Sequence, residues 1–281
     1  MKNINIDRVL LASDDNENYI QFWDHVSEHY WNKFGIKSTL TYLGEKHNPR
    51  SNHHSDVIKV KSGAKWQSAW APFWASQYYP KDMCITMGID QFPLNANMLK
   101  YPKVDDIYYM LISNGYSASA YNWINSPNSI PCPSAFHAAL GKVFHKVYNF
   151  EKTYEKEVEK IHNVSVSNNL GPPKWGVDEL YSLIKLREYY KNSGKIDCPG
   201  MMHIYDNKRL FSEHEDGPEG EKIWGRGPGF GFSPGTPITD LSEVLKDIPK
   251  GEYTELHSPR PFKENEETIK MILKLCPKYN K

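Results

Sequence analysis

The first hundred residues alternate short apolar runs with stretches of helical spacing, and that alternation restricts the fold more than any other feature. Residues 9–12 are apolar after a polar leader and end at SDDNENY. This reads as a buried strand that carries polar residues to its C-terminal tip. Ile20, Phe22, Trp23, Val26, Tyr30, Trp31 and Phe34 then recur at helical spacing, with Gly35 as the stop. STLTYLG and VIKVK read as further strands around the polar loop EKHNPRSNHHS. A helix is predicted over 64–77, with Pro72 as a kink or break. Strand character returns in CITMGID and in DIYYMLIS. Strand–helix–strand alternation of this kind predicts an α/β fold with a mainly parallel sheet flanked by helices. Such sheets bind ligands beyond the carboxyl ends of their strands, so Ser13-Asp14-Asp15 and Asp90 are expected to share one crevice.

Further along, AFHAALGKVFHKVYNFEKTYEKEVEKI is predicted as a helix. GVDELYSLIKLREYYKNSG reads as an amphipathic helix with an acidic first turn, stopping at Gly194. Residues 206–237 are rich in glycine and proline, and the 217–235 stretch is a candidate lid or an irregular wrap.

Composition narrows the function. Lys+Arg and Asp+Glu balance at 34 each, so no net field draws the chain to nucleic acid or an anionic membrane. Acids interrupt every basic run, against a single-strand groove. No stretch is long enough to span a membrane, and the N-terminus does not read as a signal peptide. Cys84, Cys132, Cys198 and Cys276 form no CxxC pair, so neither a zinc knuckle nor a disulfide framework is expected. A cytoplasmic location follows as the expectation. At 281 residues the chain fits one large domain. His47, His53 and His54 lack carboxylate or cysteine partners at regular spacing and read as a solvated loop.

The stretch CITMGIDQFPLN raises the question of chemistry. A strand running into one carboxylate reads either as a turn in which Asp90 caps a backbone amide or as a site for a hard divalent cation. ITMGIDQFPLN resembles the DxD segment of GT-A-fold nucleotide-sugar glycosyltransferases. LASDDNENYIQFW, WGVDEL and LHSPRPF are similar, in the same order, to segments of a viral and bacterial group of that fold. The resemblance implies a single GT-A-like (Rossmann-like) domain, its nucleotide-binding half about 1–115 and its acceptor half about 116–281. Implied too is transfer of a sugar from a nucleotide-sugar donor, UDP- or GDP-linked, to a hydroxyl of a glycan or glycoconjugate acceptor, assisted by Mn²⁺ or Mg²⁺.

Residue by residue, the resemblance makes Asp90 a metal ligand. It makes His257 a second one, because ELHSPRPF is similar to the late histidine segment of glycogenin and the lipopolysaccharide galactosyltransferases. Gly88 stands where the DxD pattern has its first acid. Ser13, Asp15, Tyr19, Lys65, Gly88, Gln91 and Arg260 are the candidate nucleotide and donor contacts, with helix capping the competing reading for the SDDNENY group. Asp178 is the candidate base, against the alternative of a helix N-terminal acid favoured by the dipole. Two rivals stay open: a sugar nucleotidyltransferase, which lacks its usual glycine-rich basic signature here, and a non-catalytic glycan-binding protein.

Overall fold

A computed structural model describes residues 5–61, 66–94, 99, 108–113, 137–167, 177–193, 202–205, 208–213, 223–227, 236–237, 241–250, 253–258 and 261–276, and the architecture is built from these. In chain order the strands are β1 (Arg8–Ser13), β2 (Lys37–Tyr42), β3 (Ser55–Lys59), β4 (Met83–Thr86), β5 (Gln91–Pro93), β6 (Tyr108–Ser113), β7 (His137–Leu140) and β8 (Met202–Tyr205). They continue as β9 (Lys208–Glu213), β10 (Ile223–Gly227), β11 (Thr236–Pro237) and β12 (Tyr253–His257). The helices are α1 (Glu17–Phe22), α2 (Glu28–Tyr30), α3 (Trp66–Ala75), α4 (Gly141–Tyr148), α5 (Tyr154–Ser167), α6 (Val177–Ser193), α7 (Leu241–Asp247) and α8 (Phe262–Leu275).

The central sheet has the order β3-β2-β1-β4-β7-β6-β8. Every strand in it runs the same way except β7, which is antiparallel to both β4 and β6. The protein is therefore α/β with a mainly parallel sheet, as the alternating pattern predicts. From β1 the chain moves outward through β2 to β3, then crosses back to β4 on the other side of β1. Because such crossovers are right-handed, the reversal places α1 and α3 on opposite faces. It also creates a switch point between the C-terminal ends of β1 and β4, where α/β sheets open a ligand crevice.

A second sheet, β11-β10-β9-β12-β5, joins the first at this point. Its strand β5 begins right after the turn that follows β4. β9 and β10 pair antiparallel within the glycine-rich region, so residues 223–227 of the candidate lid are strand. The remainder of that stretch, 217–222 and 228–235, lies outside the described residues, as does Gly194.

The core follows from which faces are apolar. α3 carries Trp66, Trp70, Ala71, Phe73 and Trp74, all buried, because it lies between the sheet and the α5–α6 layer and has almost no solvent face. Trp70 stacks on Phe73 with centroids 4.7 Å apart and meets Tyr181 edge-on at 4.8 Å. The helix runs on through Pro72 and tightens into a 3-10 turn at Ser76–Tyr78, so Pro72 does not break it. On the other face, α1, a π turn (Trp23–Ser27), α2 and a 3-10 turn (Trp31–Phe34) form one helical path. It ends at Gly35 with φ 66°, a left-handed stop that glycine takes without penalty. Phe22 packs edge-on against Phe262 of α8 at 4.9 Å.

At the N-terminal edge of the sheet, Arg8 is buried at 4% exposure. It donates to Asp82 (2.8 Å), Thr39 (2.9 Å) and Asp56 (2.6 Å), and its guanidinium lies 3.6 Å from the Tyr79 ring centroid. One cation thus ties β1, β2 and β3 to the segment that leads into β4.

The predicted helix beginning AFHAALG is a correction. His137–Leu140 is strand β7, and only then do α4 and α5 follow, separated at Asn149 by a residue with φ 48°. Alanine favours helix locally, but the gap between β4 and β6 takes a strand with small residues, and Ala138 and Ala139 are fully buried there. The strand passes directly into α4 because Gly141 has no side chain. A Cβ at that position would lie 2.2 Å from the Tyr79 carbonyl oxygen. Among the described residues no helix is long and apolar enough to cross a membrane.

Candidate functional site

The switch point gathers the sequence-predicted residues 13–16 and 88–91 at one edge of the sheet. Met87 N donates to Leu10 O at 3.2 Å, which keeps the end of β4 alongside β1. The chain then turns: Gln91 N donates to Gly88 O at 3.1 Å, and the Gln91 side chain folds back so that its Oε1 accepts from Gly88 N at 2.7 Å. From beneath, Ser27 Oγ donates to Ile89 O (3.2 Å) and Tyr30 OH donates to Pro93 O (2.6 Å). The turn is pinned on both flanks. Asp90 and Gln91 sit within it at 7% and 6% exposure.

Across from the turn runs β12. His257 is the Cα partner of Gln91 in the antiparallel β5–β12 ladder, and Ser258 N donates to Asp90 O at 2.8 Å. Asp90 and His257, the two sequence-predicted metal ligands, therefore occupy neighbouring backbone positions. Ser258 brings a feature that the sequence did not disclose. Its hydroxyl is fully buried and has no hydrogen-bond partner among the described residues. Nothing in LHSPRPF marks this serine, since orphaning is a property of packing.

The SDDNENY group is taken up by capping and clamping. Asp14 accepts from Asn16 N (2.9 Å), and Asn16 caps α1 by accepting from Asn18 N (3.0 Å). Asn18 in turn accepts from Phe262 N (3.3 Å), which fixes the start of α8. Ser13 is buried and donates to Asp14 O at 2.9 Å. Asp15 Oδ1 accepts from Tyr42 OH (2.5 Å) and Lys46 N (3.0 Å), and Oδ2 accepts from Glu45 N (3.2 Å). The Tyr42 phenol holds the Asp15 carboxyl below its ordinary pKa, while burial, reinforced by Asp15, raises that of Tyr42. Gly44 makes this clamp possible, for a Cβ there would fall 2.1 Å from Asp15 Oδ1. Tyr19 is half-buried against the core.

Asp178 lies in the first turn of α6 at 2% exposure. Its charge, with that of Glu157, adds to the burial that drives the Tyr154 phenol far above its usual range. Tyr154 OH donates to Gln67 O at the start of α3. Lys65 and Arg260 lie outside the described residues. Behind the sheet, reached only by seeing β7 as a strand, is a buried chain of polar groups. His137 Nδ1 is 2.6 Å from Tyr108 OH, which is 2.8 Å from Tyr148 OH, itself 2.7 Å from Ser182 Oγ. His137 N also donates to Thr86 Oγ1 at the tip of β4 (3.2 Å).

No protein-family model matches the chain, and no curated protein does. Among solved structures, the chain is similar to a galactosyltransferase, LgtC, in complex with donor and acceptor sugar analogues. The identity is 11% and the TM-score 0.39, over 63% of this chain and 70% of that one.

Proposed function

We propose that this chain is a GT-A-like glycosyltransferase that moves a sugar from a UDP- or GDP-sugar to a hydroxyl of a glycan or glycoconjugate, in glycan biosynthesis. The observation that carries the reading is the placement of Asp90 beside the His257–Ser258 backbone, at the switch point of a mainly parallel sheet.

A divalent ion fits the residues gathered there. One carboxylate and one imidazole suit Mn²⁺, and less closely Mg²⁺, with phosphate oxygens and water completing the shell. The orphaned Ser258 hydroxyl is a further sign of a polar site short of one partner. Asp90 and His257 would hold the ion, whose chemistry is to neutralise charge on the departing nucleoside diphosphate.

The chain's own residues do the rest. The Gly88–Gln91 turn, pinned by Ser27 and Tyr30, holds Asp90 so that little reorganisation accompanies binding. The Asp15–Tyr42 clamp shapes the 44–47 loop that walls the β1–β2 end of the crevice. In this proposal Asp178 takes the proton of the acceptor hydroxyl or positions that hydroxyl.

Calorimetric titration with UDP, GDP, dTDP and CDP, each with and without Mn²⁺, tests the reading. Expected is Mn²⁺-dependent binding of one nucleotide that Asp90→Asn weakens at least about thirtyfold, the scale of a lost charged contact. Binding of none of the four would remove the transferase and leave a glycan-binding protein as the better account.

A further inference from the structure

The carboxamide of Gln91 and the absent side chain of residue 88 compete for one space. A Cβ built on Gly88 would lie 2.8 Å from Gln91 Oε1, 3.1 Å from Gln91 Cδ and 3.0 Å from Asp90 Oδ1. The two nearer atoms are side-chain ends, and Gly88 does not have a positive φ. The backbone itself would accept a side chain. What excludes one is first the folded-back glutamine, which would have to leave the Gly88 amide to make room, and then the Asp90 carboxylate beside it.

That seat also fixes which way the amide points. Gly88 N–H donates to Oε1, so the oxygen faces inward and the nitrogen outward. Gln91 Nε2 has no acceptor among the described residues. Nor is it one of the buried atoms without a partner, which are Trp31 Nε1, Thr41 Oγ1, Tyr181 OH and Ser258 Oγ. A nearly buried side chain thus spends its oxygen on the fold and leaves its two N–H donors without an acceptor among the described residues, in the turn that carries Asp90. Such a neutral double donor adds hydrogen bonds to an anionic oxygen without adding charge next to a carboxylate.

We propose that Gln91 is a substrate-binding residue whose carboxamide NH₂ donates to a phosphoryl oxygen of the donor's diphosphate, and that Gly88 is glycine in order to seat it. The proposal rests on the glycosyltransferase reading and names within it one contact to the donor.

The experiment is calorimetry of wild type, Gln91→Glu, Gln91→Ala, Gly88→Ala and the Gly88→Ala/Gln91→Ala double variant. The probes are UDP, GDP and inorganic pyrophosphate, each with Mn²⁺, and thermal melts of the ligand-free proteins run alongside. Gln91→Glu keeps an oxygen that accepts from Gly88 N, loses the donors and adds a carboxylate beside Asp90, whereas Gln91→Ala loses the donors without that charge. Both are expected to lose affinity about tenfold or more, for the nucleotide and for pyrophosphate alike. Gly88→Ala displaces the carboxamide without adding charge and is expected to lose a similar factor. Because both act on the carboxamide while Gly88→Ala also crowds Asp90 Oδ1 at 3.0 Å, the double variant is expected to bind no more weakly than Gly88→Ala alone. Wild-type affinity in Gln91→Glu overturns the proposal, as do fully additive losses in the double variant. A loss confined to nucleotide with pyrophosphate unaffected overturns the phosphoryl assignment. If wild type binds neither nucleotide nor pyrophosphate, the glycosyltransferase reading itself fails.

Discussion

Ser258 stands opposite Asp90, its amide 2.8 Å from the Asp90 carbonyl oxygen, while its own hydroxyl is buried without a partner among the described residues. A buried hydroxyl that has given up water and gained nothing costs stability, about 1–3 kcal/mol for such groups. Ser258→Ala is therefore expected to leave the ligand-free protein as stable as wild type or to raise its stability by up to about 1 kcal/mol. Urea melts without metal or nucleotide measure this. A clear loss of stability would mean that the hydroxyl has a structural partner after all.

Asp178 separates two roles by which parameter moves. As the group that receives the acceptor's proton, Asp178→Asn is expected to lower kcat by about 10²-fold or more while donor affinity stays within twofold of wild type. As a packing group of the α3–α5–α6 layer, the same change would lower the melting temperature and leave kcat of the folded fraction intact. Both are read from one protein preparation.

Glu157 gives a pH dependence of known sign. It is fully buried, accepts from Trp70 Nε1 (3.1 Å) and Glu151 N (2.8 Å), and pairs with Lys160 at 2.6 Å. Even so, burial outweighs these contacts and raises its pKa. A carboxyl whose folded pKa exceeds its unfolded one binds its proton more tightly when folded. Its contribution is fully present below the ordinary value of 4.5 and is lost as pH rises through the folded pKa. The stability of wild type relative to Glu157→Gln is accordingly expected to fall from pH 4 to pH 8. Paired denaturant melts across that range, subtracting one protein from the other, isolate this group from Asp15 and Glu266. Those two carboxyls are shifted downward and act in the opposite sense.

Arg8 tests how the N-terminal edge is held. Removing a buried cation that serves Asp82, Asp56 and Thr39 strands the partly buried Asp82, while Asp56, 53% exposed, stays solvated. Arg8→Ala is expected to cost about 2–4 kcal/mol, somewhat less than breaking a fully buried pair. Nucleotide affinity of the folded protein should be unaffected, since the cluster lies at the opposite edge of the sheet from Asp90.

Much of the first hundred residues was legible because each element there carries its own local signal. The helical path ends at Gly35 as its spacing and glycine predict, and the strands of STLTYLG, VIKVK and CITMGID fall where their apolar runs lie. What local signals could not carry were decisions made by distant partners. HAAL becomes a strand because β4 and β6 leave it a slot, against the helix preference of its alanines. QFP, three residues long, is a strand only because β12 lies beside it. The SDDNENY residues were ambiguous between ligand contact and capping, and of the two the protein's own contacts speak only to capping, which Asn16 performs at the start of α1. The orphaned hydroxyl of Ser258 and the seat of Gln91 over Gly88 exist only in three dimensions.

The joint between the two sheets sets a timetable. β5 leaves the ribosome early, but its ladder partner β12 and the Ser258 amide come from more than half a chain later. Until the chain has been made past Ser258, the Asp90 turn lacks one wall, however well the first strands and α3 have already packed. A nascent chain is thus expected to have its first strands and α3 packed well before the Asp90 turn is closed.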